Sequence, residues 1–175
     1  MREQTNKQKI DEFMRAMGRL ARQDAQVYFT GGSTAVIYGW RDTTVDIDLC
    51  FRPDVDELFH ALPALKEKLH INIELASPPD FIPEIPGWQE RSIFIRREGK
   101  IDFFHFDPYS QALAKLERGF SKDIDDVESM ERDGIIEKER LVKLFREIES
   151  RLYRYPAIDP ASFANAVIQF TEGLS

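Results

Sequence analysis

The chain lacks most features of a secreted or membrane-spanning protein. Cys50 is the single cysteine among the 175 residues, so this sequence can form no internal disulfide and no cysteine cluster for zinc. No apolar run approaches the roughly 20 residues that a helix needs to cross a bilayer. Residues 1–7 are polar and lead into an amphipathic stretch, unlike the apolar centre of a signal peptide. We therefore expect a soluble, cytoplasmic protein with no membrane partner.

Positive charge and histidine are also scarce. The sequence has 24 Lys and Arg against 31 Asp and Glu, which gives a formal net charge of -7 at pH 7. Non-specific binding to nucleic acid depends on many basic side chains that neutralise phosphates, so a nucleic-acid substrate would need a local basic patch. The three histidines, His60, His70 and His105, have no partners at metal-ligand spacing, which favours packing or surface roles for them.

The length of the chain limits the number of domains. A chain of 175 residues can form one domain with a substantial core and a small helical appendage, but not two full-sized domains. We divide it into an α/β core that includes an N-terminal helix, residues 1–107, and a C-terminal helical region packed on that core, residues 108–175.

Hydrophobic periodicity predicts the elements of the first region. Apolar residues at intervals of three and four predict a helix over 7–25, and a short helix is expected over 34–38. The predicted strands cover 26–30, 45–51, 71–75, 92–97 and 100–106. A helical stretch over 54–69 is expected to restart at Pro63. Four prolines between Ala76 and Gly87 predict an irregular surface loop.

The last third of the chain is predicted to be helical. Asp107-Pro108 is typical of a helix cap followed by a first-turn proline, and Gly119 is expected to end that helix. Further helices are expected over 121–132 and 137–153, and from Asp159-Pro160 onwards. The predicted fold class is therefore α/β (α+β), with a mixed sheet flanked by helices and a helical C-terminal region.

A glycine pair marks the first candidate binding site. Gly31-Gly32 follows the predicted strand 26–30, and Ser33 can cap the short helix that comes next. Backbone amides at a strand-to-helix turn, together with the helix dipole, favour an anion such as phosphate. Tight turns without a ligand also use glycine, so the pair alone is a weak signal.

Two aspartates provide the second candidate site. Asp46 and Asp48 lie in the predicted strand 45–51, and the two-residue period of a strand puts both side chains on one face. Carboxylate oxygens are preferred ligands of Mg²⁺, and such a pair can serve ions about 3.5–4 Å apart. Because aspartate is a poor strand former, a merely solvent-facing strand explains the pair less well. Together with the glycine pair, these carboxylates predict chemistry on a nucleotide.

The glycine pair and Asp-x-Asp together resemble the nucleotidyltransferase superfamily. That superfamily has Gly-Gly or Gly-Ser, a spacer, and Asp-x-Asp on a strand; here residues 33–45 form the spacer. Its third carboxylate comes from a later strand, commonly from Val-Asp or Ile-Asp among apolar residues, and Ile101-Asp102-Phe103-Phe104 is similar to that pattern. The resemblance implies a nucleotidyltransferase-like sheet in which Asp102 converges with Asp46 and Asp48 as the third metal ligand.

Further motifs are similar to the abortive-infection nucleotidyltransferase toxins (AbiEii-like). Those proteins carry Arg and Ser or Thr before Asp-Ile-Asp-Leu, and later Lys, Arg and a Lys/Arg-Asp-x-x-Asp motif. The matching residues here are Arg41, Thr44, Lys115, Arg118 and Lys122-Asp123-Ile124-Asp125-Asp126. This resemblance spans about residues 27–130. It does not extend to the large C-terminal part that is typical of the longer toxins. It implies the toxin of a toxin-antitoxin pair, with an antitoxin-like partner.

The resemblance also implies a role for each residue. The implied reaction is Mg²⁺- or Mn²⁺-dependent transfer of a nucleotidyl group from an NTP, such as ATP, to a hydroxyl of RNA, a protein or a small molecule. The implied metal ligands and catalytic residues are Asp46, Asp48 and Asp102. The residues implied to bind the nucleotide are Gly31, Gly32, Ser33, Arg41, Thr44, Lys115, Arg118, Lys122 and Asp123.

Two other functions are compatible with these residues. A non-catalytic module with the same fold would use the cleft to bind a nucleotide or a partner protein, although the intact carboxylate trio argues against it. A sugar-nucleotide glycosyltransferase also uses Asp-x-Asp and a metal. A nucleotide-binding fold would then be expected before the motif, and residues 1–45 are short for that purpose.

Overall fold

The computed structural model describes residues 3–173 and divides into two compact units. The first unit comprises the chain up to Ser77 together with Ser92–Phe106. The second unit comprises Pro78–Arg91 and the chain from Asp107 onwards. The proline-rich segment, which the sequence-based division assigned to the core, therefore groups with the helical unit.

A five-stranded mixed sheet forms the centre of the first unit. The strands of the described chain are β1 (Thr5–Asn6), β2 (Ala25–Thr30), β3 (Thr43–Thr44), β4 (Asp46–Arg52), β5 (Asn72–Leu75), β6 (Ile93–Glu98) and β7 (Ile101–His105). The sheet order is β5-β4-β2-β7-β6, and β1 pairs separately with β3. β4 runs antiparallel to β2 and parallel to β5, while β7 runs parallel to β2 and antiparallel to β6. The predicted α/β class with a mixed sheet is confirmed.

The core of the first unit fixes the direction in which the β4 side chains point. Its helices are α1 (Lys7–Leu20), α2 (Gly32–Tyr38) and α3 (Asp56–Leu69). Ile47 and Leu49 of β4 are fully buried in one cluster with Phe13 of α1 and the apolar side chains of α3. A register slip of one residue would expose both, at roughly 1.5–3 kcal/mol each. Asp46 and Asp48 therefore occupy the opposite face of the sheet, as predicted.

The second unit is helical. Its helices are α4 (Trp88–Arg91), α5 (Pro108–Arg118), α6 (Ser121–Arg132), α7 (Lys138–Ile148) and α8 (Pro160–Thr171), with 3₁₀ turns at Pro78–Asp80 and Glu149–Arg154. Phe145 of α7 packs edge-on against Phe163 of α8, with ring centroids 4.8 Å apart. The predicted helical C-terminal region is confirmed. Within residues 3–173, every helix is too short or too polar to cross a membrane.

Several predicted boundaries are wrong. α1 ends at Leu20 rather than at residue 25, and the helix predicted over 137–153 becomes a 3₁₀ helix after Ile148. Pro63 does not start a second helix, because α3 continues through it without a break. The buried residues of α3, spaced three and four apart on both sides of the proline, are Leu58, Leu62 and Leu65. Packing of this apolar stripe outweighs the hydrogen bond that Pro63 cannot make.

Candidate active site

Gly31 forms the corner between β2 and α2 and leaves room for a carboxylate. Thr30, the last residue of β2, pairs with Asp48 of β4, so the corner emerges beside the start of β4. Gly31 has φ = 65°, a left-handed conformation that favours glycine. A Cβ built on Gly31 would lie only 2.7 Å from Oδ2 of Asp48. Glycine is therefore required here both for the backbone angle and for the approach of Asp48.

Gly32 is in close contact with the loop that precedes β4. A Cβ on Gly32 would lie 2.1 Å from Oγ1 of Thr44 and 3.6 Å from Nη1 of Arg41. Thr44 donates a hydrogen bond to the carbonyl of Asp46 at 3.1 Å and pairs with Thr5 across β1 and β3. This two-residue pair is too short for periodicity to predict. The structure thus gathers the glycine pair, Arg41, Thr44 and the Asp-x-Asp strand in one place.

Ser33 does not present its side chain to a ligand. The residue is fully buried, and its hydroxyl has no hydrogen-bond partner within residues 3–173. Gly31 and Gly32, in contrast, are partly exposed. Contact between a phosphate and the Ser33 hydroxyl, which the resemblance implies, is therefore not supported by this arrangement.

His105 is a packing residue that ties α2 to β7. Its Nδ1 lies 2.9 Å from Oγ1 of Thr34, and its ring stacks on Tyr38 with centroids 4.5 Å apart. Burial lowers the pKa of His105 to about 4, so the imidazole is neutral at pH 7. These contacts hold α2, and with it the glycine corner, against the sheet.

Asp46 is contacted from the neighbouring strand β5. In the parallel register of β4 and β5, Asn72 pairs with Asp46 and Glu74 pairs with Asp48. Nδ2 of Asn72 donates a hydrogen bond to Oδ1 of Asp46. Sequence alternation predicts β5 but not its neighbour, so it did not single out either residue. The available signal was two polar residues, Asn72 and Glu74, on one face of a strand whose other face is apolar.

The predicted convergence of Asp102 with the Asp-x-Asp pair is wrong. Asp48 is level with Thr30 of β2, whereas Asp102 is level with Gln26, four residues further back along the same strand. Four residues of strand correspond to about 13 Å. Asp102 instead pairs with Arg97 at 3.1 Å, and Arg97 also contacts Asp24 at 2.9 Å. Asp102 lies on the same face of the sheet as Asp48, but the strand register puts it at the opposite end.

The basic residues of the later motif belong to the second unit and form an ion-pair cluster. Nζ of Lys115 lies 2.8 Å from Oδ2 of Asp126 and 3.7 Å from Oδ1 of Asp123. Arg118 donates to both oxygens of Asp123, at 2.6 and 2.7 Å. Lys115 is buried and already paired, while Lys122 on α6 is exposed. In this cluster Asp123 contacts both Arg118 and Lys115, and Lys115 has two carboxylate partners.

The charges of this cluster set the protonation state of Asp123. Burial on its own would raise the pKa of the Asp123 carboxyl. The hydrogen bond from Arg118 and the charges of Lys115 and Arg118 outweigh burial and lower that pKa below its usual value. Asp123 is therefore ionised at neutral pH and is an ion-pair partner of Arg118 and Lys115.

The donor atoms at the start of β4 suit a hard divalent cation. Among residues 3–173, no group of three or more His, Cys, Asp or Glu side chains is arranged to hold a metal ion. Mg²⁺, however, is commonly bound by one or two carboxylates together with substrate phosphates and water. Asp46 and Asp48 provide two carboxylates, and that of Asp48 lies against Gly31, where any Cβ would displace it. These residues fit a cation that shares its ligands with a phosphate.

A family model matches the chain along almost its whole length. The family is described as nucleotidyltransferase of unknown function (DUF6036), and the match covers residues 6–172. The chain belongs to this family. Membership supports a transferase enzyme of the nucleotidyltransferase superfamily, and favours this superfamily over the glycosyltransferase alternative. Curated proteins and solved structures provide no match.

Proposed function

We propose that the chain is a metal-dependent enzyme that transfers a nucleotidyl group from an NTP to a hydroxyl of RNA, a protein or a small molecule. The observation that carries this proposal is the approach of the Asp48 carboxylate to the Gly31 corner. The Asp48 carboxylate, a type of ligand that Mg²⁺ prefers, lies beside partly exposed backbone at the start of a helix, and such backbone is suited to phosphate. Asp46 adds a second carboxylate on the same strand face.

Asp46 and Asp48 would hold Mg²⁺ or Mn²⁺. The bound ion would neutralise negative charge on the reacting phosphate. The backbone amides of Gly31 and Gly32, with Arg41, would orient the phosphate chain. The acceptor oxygen forms a bond to the α-phosphorus, and the bond between that phosphorus and the bridging oxygen of the β-phosphate breaks. Pyrophosphate leaves, and the proton of the acceptor hydroxyl passes to water. Asp102 has no part in this proposal.

Nucleotidyl transfer is tested with labelled NTPs and matched aspartate variants. The protein is incubated with Mg²⁺ and each labelled NTP, with total RNA or with cell lysate, and the label on an acceptor is measured. We expect Asp46→Asn and Asp48→Asn each to reduce labelling at least about 100-fold, because each removes a metal ligand. Asp102→Asn, a matched change in a partly exposed ion pair, should leave labelling within about threefold.

Two results of this experiment would contradict the proposal. Full activity in Asp46→Asn or Asp48→Asn would remove the carboxylate pair from the mechanism. No labelling by the unmodified protein with any NTP or acceptor, together with equal nucleotide binding by Asp46→Ala, would favour the non-catalytic binding module.

The resemblance to the abortive-infection toxins supports a more specific proposal, that the enzyme is a toxin with an antitoxin-like partner. It rests on the shared residues Arg41, Thr44, Lys115 and Arg118 and the Lys122-to-Asp126 motif. Induced expression in a bacterial host should then arrest growth, and Asp48→Asn should abolish the arrest. Normal growth with both proteins would contradict the toxin role without affecting nucleotidyl transfer.

A further inference from the structure

We propose that Asn72 is a positioning residue that fixes the carboxylate of Asp46 for cation binding. This inference rests on the proposed function, because it assigns Asp46 to a metal. The hydrogen bond from Nδ2 of Asn72 to Oδ1 of Asp46 is the contact that carries it. The two residues are directly paired in the parallel register of β4 and β5, and both are partly buried.

The packing of neighbouring residues fixes the direction of the Asn72 side chain. Its neighbours Ile71 and Ile73 are 6% and 3% exposed and pack in the core on the other face of the sheet. Side chains alternate along a strand, so burial of these two isoleucines turns Asn72 towards the face that carries Asp46. Direct pairing then puts the amide within reach of the carboxylate. The contact is therefore set by the core and not by a mobile surface side chain.

A neutral amide is well suited to this position. A Lys or Arg at residue 72 would neutralise the charge that attracts the cation, and an Asp or Glu would repel the carboxylate of Asp46 in the absence of metal. Asn holds one carboxylate oxygen without changing the net charge of the site. Outer partners of metal ligands act in this way, and their loss typically reduces metal affinity 10- to 100-fold.

Mn²⁺ affinity, measured by electron paramagnetic resonance without nucleotide, tests the inference. Asn72→Leu keeps a similar volume but removes the donor, and we expect it to weaken Mn²⁺ binding about 10- to 100-fold. Asn72→Gln keeps an amide donor on a longer stem and should recover part of the affinity. The matched control is Asn165→Leu on the exposed surface of α8, which should bind Mn²⁺ like the unmodified chain. The thermal midpoint of each metal-free variant is measured alongside.

The possible outcomes separate this inference from the function on which it rests. If the unmodified chain binds Mn²⁺ no better than Asp46→Asn and Asp48→Asn, the proposed metal site itself fails. If the unmodified chain binds Mn²⁺ and Asn72→Leu binds it equally well, only the positioning role of Asn72 fails. If Asn72→Leu, Asn72→Gln and Asn165→Leu all lose Mn²⁺ affinity to the same extent, the positioning role also fails. The amide donor of Asn72 would then not be the cause of the loss.

Discussion

The atoms next to each glycine near the candidate site determine what a larger residue there would displace. Gly31 and Gly39 flank the short helix α2, and both have positive φ, 65° and 84°. A Cβ on Gly31 would meet Oδ2 of Asp48, whereas a Cβ on Gly39 would meet nothing within 4 Å. The two positions therefore share a positive φ but differ in ψ, which is -135° at Gly31 and 13° at Gly39, and in what a methyl group would displace.

We predict that Gly31→Ala and Gly39→Ala both lower the free energy of unfolding, by about 1–3 kcal/mol, because each forces alanine to a positive φ. Only Gly31→Ala should also weaken Mn²⁺ binding, because its methyl group displaces the Asp48 carboxylate. Urea titration measures the first effect and paramagnetic resonance the second. Equal Mn²⁺ affinity in the two variants would contradict the packing of Asp48 against the corner.

Protonation of His105 should make the stability of the chain depend on pH. The pKa of His105 is about 4 in the folded protein and about 6.5 in an unfolded chain. The folded state is thus stabilised fully above pH 6.5, and the stabilisation is lost as the pH falls from 6.5 towards 4, because the unfolded chain takes up the proton first. The difference corresponds to about 3 kcal/mol.

Urea unfolding of the chain and of His105→Asn between pH 7 and pH 4 measures this contribution. Other groups titrate in the same range, so the prediction concerns the difference between the two proteins: the variant should lose less stability over the interval. His60→Asn, at an exposed position, serves as the control and should follow the unmodified chain. If the free energy of unfolding fell equally with pH in the unmodified chain and in His105→Asn, His105 would not be buried in the neutral form.

Within the sheet, the alternation of side chains along a strand and the register between neighbouring strands depend on different contacts. Alternation of apolar residues along 45–51 is enough to predict that Asp46 and Asp48 share a face, because only one face can enter the core. Register between strands depends on contacts across the sheet that no local pattern contains. This is why neither the position of Asp102 along the sheet nor the contact of Asn72 with Asp46 could be predicted.

Helices α5 and α6 are joined by a buried cluster of charges. The side chains of Lys115 and Asp126 are 7% and 3% exposed, and their charges lie 2.8 Å apart. We predict that Lys115→Met lowers the free energy of unfolding by about 3–5 kcal/mol, because it leaves Asp126 buried without its cation. The control, Arg132→Met in an exposed pair with Asp133, should cost less than about 1 kcal/mol. Equal urea midpoints for the two variants would contradict a buried, paired Lys115.

At the scale of the whole molecule, the predicted site residues are divided between the two units. The glycine pair, Arg41, Thr44 and the Asp-x-Asp strand belong to the first unit, and the Lys115-to-Asp126 motif belongs to the second. The fold class could be predicted from local pattern, whereas the gathering of Arg41 and Thr44 with the glycine pair and the Asp-x-Asp strand was implied by the resemblance to nucleotidyltransferases. The assignment of segment 78–91 to the helical unit could not be predicted, because it depends on contacts distant in sequence, such as Arg91 with Asp107 at 2.9 Å.

Asp46 and Asp48 are the residues that we propose bind a divalent cation beside the glycine corner. Anomalous scattering from a crystal grown with Mn²⁺ and a non-hydrolysable triphosphate tests this proposal most directly. We predict a manganese peak at bonding distance from both carboxylates, with phosphate oxygens at Gly31 and Gly32. A manganese peak at Asp102, or a bound triphosphate with no manganese beside Asp46 and Asp48, would contradict it.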